Sequence, residues 1–212
     1  MTLEERIDRI FNTSEIELAG EAYKGKYELG NMKSIKCFIL GRLRKIYTNL
    51  GTGDKITLSG NSAGKLATRW KNGEAYQKTV AHIPEIIEKM QFLEEMKPDK
   101  NDASFDKYSY YVTPAKIDGE SHTIFSTVGY KGQEIYYDHN VFKGTPKEVF
   151  AKAKNATNSK KYDRLNKILQ DTEKDSRGQI PVVAGETSAI QEATEASTNK
   201  YTKKSGDVQG EV

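Results

Sequence analysis

The chain has 212 residues, enough for one ordinary domain with extensions. A hydrophobic fraction of 36% and a mean hydropathy of −0.73 are too low for a wholly globular chain, so part of it should stay outside any core. One cysteine excludes an internal disulfide, no apolar run approaches the roughly 18 residues of a bilayer span, and the charged start MTLEERIDRI is not signal-like. The chain therefore reads as soluble and cytoplasmic, with no membrane partner.

In chain order, LEERIDRIFN places Leu3, Ile7 and Ile10 at helical spacing and is followed by a glycine-broken connector, so residues 1–30 are expected to be a helix and a linker. An α+β domain is expected over 31–169. It opens with a helix in which Ile35, Phe38, Ile39, Leu43 and Ile46 recur about once per turn, closed by an Asn49-Leu50-Gly51 cap. A strand over Ile35 to Leu40 is the alternative. Cys37, inside the apolar run IKCFIL, should be a buried small hydrophobe. KITLS (residues 55–59) alternates like a strand, and Asn61 or Ser62 should cap the helix that carries Leu66 and Trp70.

Tyr76, Val80, Ile83, Ile87 and Met90 then fall in one helical arc. Pro84 must kink this helix or start a second one, because proline lacks the backbone donor and clashes one turn back. His82 lies about 120° from the arc's centre at 100° per residue, half out of the core beside Thr79 and Ile86.

The period now changes. FLEEMKPDK, KYSYYVTPAKI, HTIFSTVGY and QEIYYDHNVF read as four strands, with turns at Asp118-Gly119 and Lys131-Gly132. Thr145-Pro146 starts a last helix, with Tyr162, Leu165, Ile168 and Leu169 as its contacts. The predicted fold is α+β: helices, then a four-stranded antiparallel β-meander with the helices on one face, then a C-terminal helix. Residues 170–212 hold five Lys/Arg against eight Asp/Glu, leaving +6 on the body, and their small polar composition predicts a disordered tail.

Candidates for chemistry are dispersed. The phosphate-loop and dinucleotide spacings are absent, SGNSAGK included, so no cofactor is indicated. Nor is a metal, since the three histidines lack an i, i+4 partner and the adjacent Asp138 and His139 point to opposite faces of a strand. Metal-free cleavage of RNA needs a base, an acid and cations for the phosphorane charge. His139, His122, Lys116 and Tyr110 are the catalytic candidates. Lys65, Arg69, Lys71, His82 and Tyr137 are candidates for holding nucleic acid. The bland alternative is that the tyrosines are cross-strand packing and the cations solubilise the surface. Tyr110/Tyr111 and Tyr136/Tyr137 each send one ring to either face.

The segments AHIPEIIE (81–88), LEE (93–95), the Tyr–Pro–Ile–Asp–Gly hairpin (110–119) and YDH (137–139) together resemble the third of the large polyvalent protein-associated domains, found in proteins of phages and mobile elements, over about residues 57–142. The order of elements is similar to the barnase, EndoU, colicin and RelE-like nuclease fold. That likeness, with the basic, aromatic-rich body, suggests a metal-independent ribonuclease with RNA or DNA as partner, and the family resemblance implies an infected or element-bearing bacterial host, or its virion, as location. The alternative is a non-catalytic binding module for nucleic acid or a host protein; an inert virion component ranks third. The resemblance also implies that Asn is accepted at His82, which a titrating role would not allow.

Overall fold

The computed structural model describes residues 1–98, 104–156, 159–160 and 162–177, with side chains through Gln170. Of the tail expected over 170–212, residues 170–177 are instead helical, and those from 178 onward lie outside the described residues. A compact unit runs from Met1 to Arg177.

Helix α1 (Leu3–Phe11) starts from a Thr2/Glu5 capping box. Strand β1 (Ile16–Leu18) follows, inside the stretch expected to be linker. Helix α2 (Met32–Phe38) passes into a π-helical turn at Ile39–Leu43 and stops there. Instead of a cap, residues 46–48 form strand β2 (Ile46–Thr48), paired antiparallel with β3 (Lys55–Thr57). Asn49 does cap a helix, but a distant one: its Nδ2 donates to the carbonyls of Ile87 and Met90, both at 2.8 Å. Cys37 is exposed, correcting the expected burial. Ile35 and Ile39 face the core, and Cys37 stands about 200° from each on the wheel.

Helix α3 (Gly60–Thr68) is capped by Ser59, not by Asn61 or Ser62. Helix α4 (Glu74–Thr79) and helix α5 (Ile83–Lys89) are separated by a 3₁₀ turn at Val80–His82, and Pro84 sits in the first turn of α5, where its missing donor costs nothing. The break is held from outside. The Tyr27 hydroxyl accepts from the Ala81 amide at 3.1 Å and donates to the Gln77 carbonyl at 2.7 Å, standing where a helical hydrogen bond would run.

Strands β4 (Gln91–Met96), β5 (Lys107–Ile117), β6 (Glu120–Lys131) and β7 (Glu134–Lys143) form the expected antiparallel meander. Asp118 and Gly119 both take positive φ, 55° and 77°, as the tight hairpin requires. The sheet is nonetheless mixed and five-stranded: β1 pairs parallel with residues 115–117 of β5, on the edge that β4 uses at residues 108–112. Pro114 falls between these two partners and interrupts neither ladder. Helices α6 (Pro146–Asn155), with a Thr145 capping box, and α7 (Asp163–Arg177) close the unit.

Helices cover both faces of the sheet, not one. Residues of α2–α5 pack with Tyr111, Val128 and Tyr137 on one face. Those of α1, α6 and α7 pack with Tyr110, Val112, Phe125 and Phe142 on the other. Strand alternation therefore sends Tyr110 and Tyr111 to opposite faces, as expected, yet both are buried.

Candidate functional site

β7 is an outer strand of the sheet, and its free backbone groups need partners. Helix α3 and the 3₁₀ turn that begins at Arg69 meet this edge. Ser62, Lys65 and Arg69 share one helical face at i, i+3 and i+7. The Ser62 hydroxyl accepts from the Tyr137 amide at 3.0 Å. Arg69 donates to the carboxylate Oδ2 of Asp138 and to the side-chain oxygen of Asn140, and Lys65 stands 3.7 Å from the same Oδ2. The other oxygen, Oδ1, accepts from the His139 amide at 3.0 Å. Asp138 is thus a buried brace, tying the strand edge to two cations.

Beside Arg69 opens a cleft of about 580 Å³ on the α7 side of the sheet. Asn72, Asn140, Lys160 and Arg164 wall it, and Phe125 and Phe142 lie at its base. Lys160 and Arg164 are exposed. Asp163 is the one carboxylate in its lining.

His139 lies on the other face. Its ring is fully buried, stacked on Tyr76 with centroids 4.9 Å apart and tilted against Tyr137 at 5.7 Å. The Thr79 hydroxyl donates to the Tyr76 carbonyl at 2.6 Å, so towards His139 Nε2, at 2.9 Å, it can only accept. Nε2 therefore carries the proton, and Nδ1 meets no hydrogen-bond partner among the described residues. Burial, reinforced by the charge of Arg69, pushes the His139 pKa down to about 3. Burial likewise raises the Tyr76 and Tyr137 phenols above their ordinary range.

The remaining candidates are spread out. Tyr110 is buried and stacked on Phe125 at 5.6 Å. Tyr137 is buried with its hydroxyl 3.2 Å from that of Ser126. Lys71 stands over the Trp70 ring at 5.8 Å. Lys116 lies between Glu15 and Glu17, at 3.9 and 3.5 Å. His122 is buried, its Nδ1 2.9 Å from the Glu120 carbonyl, and His82 Nε2 is 3.0 Å from the Ala19 carbonyl.

Tyr110, Thr127 and Asp138 stand opposite one another across the sheet. Counted from that row, Lys116 and His122 lie roughly 20 and 17 Å along their strands at about 3.4 Å per residue. The structure brings Lys65 and Arg69 together but not the catalytic candidates. Sequence reading missed Asp138 as a brace and Asn140, Lys160 and Arg164 as walls. The run SKKYDR carried a basic signal, but its neighbours were read for apolar contacts alone. Among the described residues no group of His, Cys, Asp or Glu could hold a metal ion, and no helix is long and apolar enough to cross a membrane.

The family model described as large polyvalent protein-associated domain 3 matches residues 30–137, just over half of the chain. That span runs from just before α2 into the first half of β7, so Asp138, Asn140, Lys160 and Arg164 lie beyond it. No curated protein and no solved structure matches the chain.

Proposed function

Because this chain belongs to the family of large polyvalent protein-associated domain 3, we propose that it is a non-catalytic binding module of phage or mobile-element origin whose cleft beside Arg69 holds the phosphate backbone of a nucleic acid. The convergence of Arg69, Lys160 and Arg164 on one concavity, against the single carboxylate of Asp163, carries this reading. Guanidinium groups hold phosphate in a bidentate fork, and the side-chain amides of Asn72 and Asn140 add neutral donors. Arg69 is oriented in advance by Asp138 and Asn140, so less freedom is lost when a ligand arrives.

A metal-independent ribonuclease would need an acid and a base within hydrogen-bond reach of the same phosphate. His139 is walled off, with its one N–H held by Thr79, and Lys116 and His122 lie along the sheet away from Asp138. The geometry supports holding a phosphate better than cleaving one.

The test is titration of the full chain against fluorescent RNA and DNA in chelator between about 50 and 200 mM salt. Binding should weaken steeply with salt, and Lys160→Ala and Arg164→Ala should each lower the logarithmic salt slope by roughly 0.7 to 0.9. The strands should stay intact. Salt-independent binding, or none, would overturn the reading, and saturable capture of a host protein without a salt slope would replace it. Cleavage in chelator would restore the ribonuclease reading.

A further inference from the structure

A second hollow, of about 200 Å³, opens on the same sheet face between Lys97, Arg164 and Lys167, with Tyr108 and Tyr110 at its base. Both hollows use Asp163 and Arg164, the first two residues of α7, so the start of that helix is a ridge shared by the two. Lys97, Lys160, Arg164 and Lys167 are all exposed, and the Arg164 guanidinium lies 5.5 Å from the Tyr108 ring centroid. The base of the pair steps from Asn140 on β7 to Phe125 on β6, Tyr110 on β5 and Met96 on β4. That is three inter-strand spacings, about 14 Å at about 4.8 Å each, and, since Phe125 pairs with Val112 whereas Met96 pairs with Tyr108 four residues away, about 14 Å along the strands as well, so the oblique path is roughly 20 Å long.

We infer that the two hollows form one track across the sheet, and that its occupant is a single strand of nucleic acid lying over the start of α7. The track presupposes the phosphate cleft proposed above. A span of this length accommodates about six stacked nucleotides at roughly 3.4 Å each. Concavities with cations on their walls can take in a strand whose bases are free to turn inward. A duplex is convex, and reading it calls for a helix or ribbon that projects into a groove, whereas this face is recessed. Phosphates cannot rest on the Asp163 carboxylate, so the strand must cross the ridge with a phosphate on either side, one towards Lys160 and one towards Lys97 and Lys167.

Anisotropy titrations of the full chain against labelled single strands of about three, six and twelve nucleotides, and against a duplex of the longest, separate the outcomes. For the wild type, affinity should rise from the shortest to the middle length and then level off, and the single strand should bind at least about tenfold more tightly than the duplex. In Lys97→Ala/Lys167→Ala the gain with length should vanish, and the logarithmic salt slope should fall by about 1.4, two single-strand contacts' worth. RNA and DNA arms of equal affinity would point to the shared sugar–phosphate chain, and a difference between them to the 2′-hydroxyl; either accords with the track. Binding that Lys160→Ala weakens but that does not grow with length, or that favours duplex, would overturn the track while sparing the first cleft. Binding insensitive to both variants, or no binding, would remove both. All these side chains are exposed, so unchanged thermal melting confirms that the variants fold.

Discussion

The two faces of the sheet are covered by helices in different ways. Under α2–α5 the cover is closed: Tyr76, Tyr111, Tyr137 and His139 are buried, and the Tyr76 hydroxyl donates to the Leu66 carbonyl at 2.8 Å. Under α1, α6 and α7 the cover is incomplete over part of β7, beside Asn140, and the gap is lined by cations. Residue type did not decide which side could meet a ligand. The histidine best suited to acid–base chemistry lies on the closed face, and unremarkable lysines and arginines surround the open one.

If the faces differ in this way, substitutions of side chains buried under the closed cover or at the β7 edge should cost stability, and those of the exposed cations around the cleft should not. The largest effect should come from pH. The folded pKa of His139, about 3, lies below the ordinary 6.5, so as pH falls the unfolded chain takes up the proton first. Stability due to the neutral ring is complete above about pH 6.5 and is lost progressively as pH falls towards 3, by up to about 5 kcal/mol. Urea denaturation from neutral to mildly acidic pH measures it, and His139→Leu should flatten that part of the curve.

Next, Asp138→Ala would leave Arg69 half-buried without its counter-charge and the His139 amide without its acceptor, costing about 3–5 kcal/mol. A smaller loss would mean that the brace is solvated and the edge open. Tyr76→Phe should cost about 1 kcal/mol for the hydrogen bond to Leu66, read from the same titrations. Lys160→Ala and Arg164→Ala should change stability by less than about 0.5 kcal/mol, while weakening the nucleic-acid binding we propose. If either melts the protein, the open face is structural and the contrast between the faces fails.

The strands β4–β7 were legible because alternation and the Asp118-Gly119 turn are local signals. β1 and β2 were not: each is three residues long, and β1 exists only because residues 115–117, some hundred positions away, offer it an edge. Asn49 shows the same limit from another side. It was read as closing the helix before it, whereas its side chain bonds the end of a helix that begins more than thirty residues later. Lys65 and Arg69 could be grouped from sequence because one helix face joins them. Lys160 and Arg164 join them only after α7 packs across the sheet, and no spacing within the chain encodes that meeting. Cys37 was misplaced because an apolar run was read where a helical wheel was needed.

The Asp138 carboxylate has one oxygen on Arg69 and the other on the backbone of His139. If a phosphate binds in the proposed cleft and draws Arg69 towards itself, it should therefore alter the pull on that amide without touching the histidine ring. The His139 N–H resonance would then report occupancy of the proposed cleft from the opposite face of the sheet. In this protein the residue that looks most like a catalyst is placed to serve as a witness.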